Sequence, residues 1–302
     1  MTTSAVAMFA FNRPDKTERV FAAVRAARPP RLLLVCDGPR ASVASDAESC
    51  AAVRRVVERV DWPCEVERDY ADANLGCRAR ISSGIAWVFS RVDEAIFLED
   101  DTLPDASFFP YCDEMLARYR DDDRVLMVSG HNRLGRGGSD GASYWFSAYP
   151  RIWGWASWGR KWADYDVTMS AWPAMKSTPA WQSRNAREQA DWAPLFDAVK
   201  DGRIDTWDAQ VTLMAWQTSR LSAIASANLI TNIGFGAGAT NTGAATYDEP
   251  AARALDFPLQ HPARVERDEA LDAAWIASDH PPRPSLWQRV ARRARRLGGG
   301  AG

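Results

Sequence analysis

Residues 94–101 read Glu-Ala-Ile-Phe-Leu-Glu-Asp-Asp, so an apolar stretch runs directly into three adjacent carboxylates. Residues 94–98 predict a strand. Three carboxylates at a strand end repel one another unless a cation is present, and hard divalent cations take oxygen ligands from carboxylates and substrate phosphates. The stretch therefore predicts a metal-binding site. The alternative interpretation is a solvated acidic cluster at a helix start, because residues 102–105 lead into a predicted helix.

The alternation of apolar runs and helical patterns around this stretch indicates the fold class. The predicted strands are 5–11, 31–36, 64–68, 94–98 and 125–129, and the predicted helices are 15–27, 46–60, 77–92 and 106–119. Strands that alternate with helices form βαβ units, in which a mainly parallel sheet carries helices on both faces. We therefore expect an α/β fold with a Rossmann-like sheet.

Polar residues follow three of the predicted strands. Asn12 and Arg13 follow the first strand, Asp37 follows the second, and residues 99–101 follow the fourth. Ligands of such sheets bind beyond the carboxyl ends of the strands, so we expect these groups to meet at one edge. Asp37 can accept a hydrogen bond from a nucleobase N–H there, or it can be an ordinary turn aspartate before Gly38.

The start of the third predicted helix, residues 74–80, is a further candidate site. It reads Asn-Leu-Gly-Cys-Arg-Ala-Arg, and a helix N-terminus with guanidinium groups nearby favours phosphate. The alternative is an Asn74 cap with exposed arginines. A second acidic triplet, at 121–123, offers a comparison: it lies between a helix and a strand, and we expect a solvated turn at the opposite end of the sheet.

The tryptophans are unevenly distributed along the chain. Ten of the 14 lie between residues 145 and 216. After residue 130 the regular alternation ends, and we predict helices near 186–200 and 207–218, a strand at 222–225 and a glycine-rich binding loop at 232–243. Tryptophan serves both in cores and as a platform for sugars. Three of them, Trp162, Trp192 and Trp216, lie at helical apolar positions and are predicted core residues.

Composition and charge exclude several classes of protein. The 302 residues are 46% apolar and 25% charged, and a net charge of -2 gives no field for holding a nucleic-acid backbone. No apolar stretch is long enough to span a bilayer, and five cysteines without CxxC spacing indicate a reduced, cytoplasmic protein. The basic segment 286–297 can lie on an anionic membrane, peripherally at its inner face, or can be a solvated tail.

Several motifs together resemble the nucleotide-sugar-binding half of GT-A glycosyltransferases. They are FNRP at 11–14, CDG at 36–38, the helix start at 74–80 and LEDD at 98–101. The likeness is greatest to bacterial family 2-type enzymes, and the Glu-Asp-Asp form of this DXD-like motif is also similar to the N-acetylglucosaminyltransferase I group. Segments 153–158, 206–210 and 232–240 resemble further parts of the same bacterial enzymes, so the resemblance covers roughly residues 5–245.

The resemblance implies an inverting, metal-dependent glycosyltransferase. Such an enzyme moves a sugar from a nucleotide-diphosphate donor, a UDP-sugar above all, to a hydroxyl of a glycan, lipid-linked or protein acceptor in polysaccharide biosynthesis. The residues implied to bind the nucleotide sugar are Asn12, Arg13, Asp37, Arg80, Glu99 and Asp100. Asp101 would bind Mn²⁺ or Mg²⁺, which stabilises charge on the leaving diphosphate. Asp208 would be the general base, with Asp205 as its nearest rival.

The same resemblance implies a division of the chain. Residues 1–130 would form a nucleotide-sugar-binding half, residues 131–250 an acceptor-binding and catalytic half, and residues 251–302 an irregular tail that ends in the basic segment. The tryptophans that flank glycines or Asp208 would line the sugar cleft on the acceptor side; these are Trp153, Trp155 and Trp207. For Asp208 itself, the alternative is a carboxylate that merely favours the helix dipole.

One position departs from the family pattern. Enzymes of this kind often place a histidine near the end of the 232–240 segment, where this chain has Asn241. Asparagine offers a carbonyl oxygen to a hard cation but lacks the basicity of imidazole. Two other functions therefore compete: a non-catalytic or degenerate module that binds carbohydrate or nucleotide sugar, and a sugar-phosphate nucleotidylyltransferase. The latter would need a glycine-rich loop near the N-terminus, which residues 5–16 lack.

Overall fold

The computed structural model describes residues 1–138, 140–235 and 250–279 of the chain. Within these ranges the strands are β1 (Val6–Ala10), β2 (Arg31–Cys36), β3 (Glu65–Tyr70), β4 (Glu94–Glu99), β5 (Thr102–Pro104), β6 (Val125–Ser129), β7 (Tyr144–Ser147), β8 (Trp155–Trp158), β9 (Leu221–Ala225) and β10 (Ile230–Asn232). The α-helices are α1 (Pro14–Ala27), α2 (Asp46–Val57), α3 (Cys77–Phe89), α4 (Phe108–Tyr119), α5 (Trp172–Met175), α6 (Pro179–Gln182), α7 (Ala186–Lys200), α8 (Asp208–Thr218) and α9 (Glu269–Asp279).

The central sheet has eight strands in the order β3-β2-β1-β4-β8-β6-β9-β7. The first four strands in this order are mutually parallel, and β6 is parallel to β9. Strand β8 is antiparallel to both β4 and β6, and β7 is antiparallel to β9. The predicted α/β class with a mainly parallel sheet is therefore confirmed. Strands β5 and β10 form a separate antiparallel pair above the end of β4.

Apolar side chains on the two faces of the sheet form two cores. In β1, Val6 and Met8 belong to one core and Ala7 and Phe9 to the other, as the alternation of strand side chains requires. Helices α1, α2 and α4 cover the first core, and α3, α7 and α8 cover the second. Because β1, β2, β4 and β6 are buried on both faces, their sequences read as nearly continuous apolar runs, and this made them visible in the sequence.

The acidic triplet lies between two strands, and no helix begins directly after it. Strand β4 ends at Glu99, β5 covers Thr102–Pro104, and α4 begins only at Phe108. The interpretation of the triplet as a helix-start cluster is therefore wrong. Strands β7 and β8 were not predicted, because their aromatic residues were read as part of the irregular tryptophan-rich region.

The C-terminal part of the described chain covers the edge strand β7. Arg267 pairs with Phe146 in a short parallel bridge, and Asp268 N–H donates to the Phe146 carbonyl over 2.8 Å. Asp272 accepts hydrogen bonds from the Ser147 hydroxyl and from Ala148 N–H. Helix α9 lies in the segment expected to be irregular and follows this bridge.

Two expectations concern residues outside the described ranges. One is the contact of the basic segment 286–297 with a membrane, and the other is the role of Asn241 at the position where related enzymes often have a histidine. None of the helices in the described ranges combines the length and the apolar character needed to cross a membrane.

Candidate functional site

A cleft lies where the strand order changes direction. Strand β1 pairs with β2 on one side and with β4 on the other, and ligands of such sheets bind in the crevice beyond the carboxyl ends at this point. The cleft has a volume of ≈ 360 Å³. Five residues predicted to bind the nucleotide sugar line it, and they are Arg13, Asp37, Arg80, Glu99 and Asp100. Phe11, Arg40, Asn74 and Asp205 also line the cleft.

Arg13 joins the two aspartates of the acidic triplet. Its guanidinium donates to Asp100 and also lies 2.9 Å from Asp101 Oδ2. Asp100 is 2% exposed and accepts a second hydrogen bond, over 3.1 Å, from Phe11 N–H. The charge of this buried carboxylate is therefore offset by Arg13, which comes from the loop after β1, 87 residues away in sequence.

The triplet is electrostatically unfavourable in the absence of further positive charge. Burial raises the pKa of Glu99, and the neighbouring Asp101, Asp100 and Asp208 raise it further, whereas Arg13 opposes them. Burial also raises the pKa of Asp100, against the effect of Arg13. The Glu99 carboxylate accepts no hydrogen bond from any residue in the described ranges. This end of β4 would therefore be stabilised by an additional cation.

The backbone after β10 packs directly on Asp101. Ile233 N–H donates to the Asp101 carbonyl over 2.8 Å. A Cβ atom at Gly234 would lie 2.2 Å from Asp101 Oδ2, so only glycine allows the chain to approach this closely. The glycine-rich segment thus reaches the acidic triplet, as expected of a binding loop, at least as far as Phe235, where this part of the described chain ends.

The residues present fit a cation whose remaining ligands come from the phosphate oxygens of a substrate. The described residues contain no cluster of three or more His, Cys, Asp or Glu side chains that could hold a metal ion. Asp101 is 16% exposed in its side chain and faces the loop, and Glu99 is half-buried beside it. These two carboxylates match a magnesium or manganese ion that is also coordinated by substrate phosphate oxygens. They are too few for a site in which the protein supplies every ligand.

Asp37 is buried and holds the loop that precedes α3. Its Oδ1 accepts from Gly38 N–H over 2.8 Å and from Leu75 N–H over 3.0 Å. Its Oδ2 accepts from the Asn74 side-chain amide over 2.8 Å. Burial raises the pKa of Asp37, and the backbone hydrogen bonds from Leu75 and Gly38 oppose the shift. Asp37 therefore shapes the wall of the cleft, and Asn74 acts as its partner.

A carboxylate already occupies the start of α3. Asp205 accepts from Cys77 N–H over 3.0 Å and from Arg78 N–H over 3.3 Å. The phosphate-binding potential of this helix start is thus used by Asp205, the residue considered as a rival base. Arg80 is 5% exposed, contrary to the interpretation of exposed arginines, and its Nη2 donates to the Asp69 carbonyl and carboxylate over 2.6 and 2.8 Å.

Asn12 lies behind the cleft wall and supports a residue that was not predicted. Its side-chain amide donates to Asp46 over 2.9 Å, and it does not line the cleft. Asp46 also binds Arg40, whose guanidinium lies 5.3 Å from the Phe11 ring centroid. Arg40 therefore adds a positive charge to the cleft. Its only signal in the sequence was its place in the loop after β2.

Asp208 is the first residue of α8, and its charge is near enough to Glu99 to raise the pKa of that carboxyl. It is half-buried, and its Oδ1 accepts from Ala209 N–H over 2.9 Å and from the Thr206 hydroxyl. Asp208 does not line the cleft itself. The Tyr165 hydroxyl donates to the Trp207 carbonyl over 3.0 Å and so fixes the backbone immediately before it.

The three tryptophans expected to line a sugar cleft have different environments. Trp155 and Trp207 are each 3% exposed, and Trp155 stacks on Phe97 at 4.0 Å between ring centroids, so both are core residues. Trp155 lies on β8 and Trp207 directly before α8, and both rings pack in the second core, which corrects the expectation. Only Trp153 is half-buried, with its ring 5.7 Å from that of Phe235. The predicted core tryptophans, Trp162, Trp192 and Trp216, do pack in the second core.

The chain matches no protein-family model and no curated protein. Several solved structures share part of its architecture. A mannosyltransferase, PcManGT from Pyrobaculum calidifontis in complex with GDP-Man and Mn²⁺, is 12% identical with a TM-score of 0.37, covering 52% of this chain and 45% of its own. This chain therefore spans less than half of the mannosyltransferase.

Two further structures are similar at the same low level. A UDP-glucose pyrophosphorylase complexed with UDP-glucose is 8% identical with a TM-score of 0.37, covering 75% of this chain and 91% of its own. The glycosyltransferase GlyE of Streptococcus pneumoniae is 12% identical with a TM-score of 0.30, covering 65% of this chain and 44% of its own. These low TM-scores assign neither an activity nor a substrate to this chain.

Proposed function

We propose that this chain is an inverting glycosyltransferase that uses a nucleotide-diphosphate sugar and a divalent cation. One observation carries the proposal: the loops after β1, β2 and β4 converge on a cleft lined by Arg13, Arg40 and Arg80 and by Glu99 and Asp100, with Asp101 paired to Arg13 beside it. A diphosphate ester with a bound cation has both the negative charge to meet the arginines and the positive charge to meet the carboxylates. A neutral sugar alone would satisfy neither.

Each part of the donor has a matching region of the cleft. The base would lie against Phe11, Asp37 and Arg40, where a ring and hydrogen-bonding groups are close together. The diphosphate would lie near Arg13 and Arg80. The ribose and the sugar would contact Glu99 and Asp100, and Asp101 would hold Mn²⁺ or Mg²⁺. When bound, the cation supplies Lewis-acid stabilisation of the leaving diphosphate.

Asp208 would act as the general base. It would accept the proton of an acceptor hydroxyl while the acceptor oxygen forms a bond to the anomeric carbon. The bond between that carbon and the diphosphate oxygen breaks in the same step, and the nucleoside diphosphate leaves with inversion. Asp205 is the weaker candidate, because its carboxylate already accepts two hydrogen bonds from the α3 backbone.

The acceptor would enter from the side of Trp153. This ring remains half-buried beside Phe235, whereas Trp155 and Trp207 are enclosed in the core. We propose residues 1–130 and 131–250 as the donor and acceptor halves, with a glycan or glycolipid as acceptor. One sheet joins both halves, because β6 lies between β8 and β9. A cytoplasmic location with peripheral contact through segment 286–297 is part of the same proposal.

Nucleotide binding and donor hydrolysis test the proposal. Full-length protein should be titrated with UDP and GDP, with and without Mn²⁺, and thermal unfolding should be followed. We expect stabilisation by at least one nucleotide that depends on Mn²⁺, and slow hydrolysis of the corresponding nucleotide sugar. Binding without hydrolysis or transfer would indicate the non-catalytic module. The absence of any nucleotide binding in the presence of Mn²⁺ would overturn the proposal.

A further inference from the structure

The position of Arg13 relative to Asp101 has a consequence for cation binding. Arg13 Nη1 lies 2.9 Å from Asp101 Oδ2, and the same guanidinium donates to the buried Asp100. Asp101 has no other side-chain partner in the part of the chain that the structure describes. The carboxylate proposed to hold the cation is therefore already paired with a cation that belongs to the protein.

The surroundings of Arg13 keep its guanidinium in this place. Its side chain is 19% exposed, and the side chain of Asp100, which it contacts, is only 3% exposed. Planar guanidinium groups bind two carboxylates as a rigid fork, which an ammonium group cannot reproduce. Arg40, which also lines the cleft, is held by Asp46 instead of the triplet. Arg13 is thus the counter-ion of residues 99–101.

A divalent cation without phosphate ligands would bind only weakly at Asp101, despite the excess negative charge of the triplet. It would have to share Asp101 with a guanidinium of the same sign of charge, at a separation of a few ångströms. A diphosphate changes the balance, because its oxygens can accept hydrogen bonds from Arg13 and also coordinate the cation. The arrangement favours entry of the cation and the diphosphate together.

We propose that Arg13 is an internal counter-ion that prevents Asp101 from binding a free divalent cation, so that the cation binds only together with a nucleoside diphosphate. This inference rests on the proposed function and adds to it an order of binding. Arg13 is in this sense a positioning residue: it keeps the Asp101 carboxylate paired until a ligand that carries phosphate replaces Asp101 as its partner.

The test is a titration of full-length protein with Mn²⁺ alone. The electron paramagnetic resonance signal of the unbound ion measures how much Mn²⁺ each variant binds. Arg13→Gln should bind free Mn²⁺ at least about tenfold more tightly than the wild type, because a unit charge within ~4 Å of a divalent ion has been removed. The same variant should bind GDP or UDP more weakly when Mn²⁺ is saturating. Arg25→Gln is the matched control, because Arg25 pairs with Asp61 outside the cleft. Its affinity for free Mn²⁺ should equal that of the wild type.

A second variant keeps the test valid if Arg13→Gln does not fold because Asp100 is left unpaired. Arg13→Lys retains the charge but cannot bridge both aspartates, so we expect a smaller gain in affinity for free Mn²⁺. Unchanged or weaker binding of free Mn²⁺ by the folded Arg13 variants would overturn the inference. So would an equal gain in Arg25→Gln, which would show a general charge effect.

The two proposals can fail separately. The titration with Mn²⁺ alone needs no nucleotide, so it reports on Arg13 even if the wild-type chain binds neither UDP nor GDP. Failure of the wild-type chain to bind either nucleotide would overturn the proposed function. Conversely, normal binding of Mn²⁺ with nucleotide by the wild type, with no change in free Mn²⁺ affinity on replacing Arg13, would overturn only the role of Arg13.

Discussion

Two acidic triplets in this chain, residues 99–101 and 121–123, have nearly the same composition and opposite surroundings. The first ends strand β4 on the side of the cleft, and its Asp100 is 2% exposed. The second lies in the turn between α4 and β6, and the Asp123 side chain is 70% exposed. The expectation of a solvated turn at the opposite end of the sheet is confirmed.

The pKa shifts of the two triplets have opposite directions. Burial raises the pKa of Glu99 and Asp100. A hydrogen bond from Arg124 lowers the pKa of Asp122. A run of three carboxylates therefore does not by itself predict a ligand-binding site. The direction of the strand next to them decides whether they face a ligand cleft or solvent, because parallel strands present only their carboxyl ends to the cleft.

The largest expected effect concerns the carboxylate next to the first triplet. Asp208→Asn should leave donor binding intact and lower turnover by about 10²–10⁴-fold, as loss of a general base does. Steady-state transfer kinetics and a separate donor titration would measure the two quantities. Asp205→Asn is the matched control, because an amide oxygen can still accept from the start of α3. Normal turnover by Asp208→Asn would show that the base assignment is wrong.

The next effect compares the two triplets directly. Asp101→Ala should weaken Mn²⁺-dependent nucleotide binding by at least about 10²-fold, because loss of a residue that merely supports a metal ligand already costs up to that much. Asp123→Ala, a change of the same size in the solvated triplet, should leave binding at the wild-type value. Calorimetric titration with GDP or UDP at saturating Mn²⁺ measures both. Equal losses in the two variants would remove the distinction between the triplets.

A third prediction concerns what holds the second triplet in place. Lys161 is buried, and its Nζ donates to the carbonyls of Tyr119, Asp122 and Val125 over 2.8, 2.9 and 2.7 Å. Lys161→Met should therefore lower the free energy of unfolding by about 2 kcal/mol, as expected when hydrogen bonds from a charged donor are lost. Chemical denaturation measures the change. Stability equal to that of the wild type would show that this turn does not depend on Lys161.

The smallest effect is the pH dependence of a surface pair. Asp122 and Arg124 lie 2.7 Å apart, and the pKa of Asp122 is lowered from its ordinary value of 3.8. The ionised form is therefore favoured by folding, so its contribution is present above that value and is lost as the pH falls through the folded pKa. Asp122→Asn should cost less than about 1 kcal/mol at neutral pH and nothing in strong acid. Unfolding curves of the wild type and Asp122→Asn between neutral pH and strong acid measure this difference in stability. A difference that persists in strong acid would contradict the prediction.

The strands and the convergence of their ends were predictable from the sequence. Strands β1, β2 and β4 are buried on both faces and read as apolar runs. Of the polar groups after them, Arg13, Asp37, Glu99 and Asp100 line the cleft, whereas Asn12 lies behind its wall. The pairing of Arg13 with Asp100 was not predictable, because it joins residues 87 apart whose approach depends on the pairing of β1 with β4. Periodicity carries no information about such contacts.

The tryptophans show that residue type alone does not predict whether a ring lies in the core or in the cleft. Trp153 and Trp155 both flank Gly154, yet one is half-buried and the other is 3% exposed. The difference arises because β8 begins at Trp155 and inserts antiparallel between β4 and β6, which turns that ring toward Phe97. An inserted antiparallel strand of four residues leaves no distinct pattern in the sequence, so neighbouring aromatic residues could not be assigned to core or cleft.

The cover on edge strand β7 has a consequence for how the protein is made. An uncovered edge offers free N–H and C=O groups to other chains, and here residues 267–272 supply the cover. During vectorial synthesis these residues leave the ribosome only after every strand of the sheet. A nascent chain that stalls before residue 267 would carry an assembled cleft and an open edge at β7, and would be exposed to misassociation in the cell.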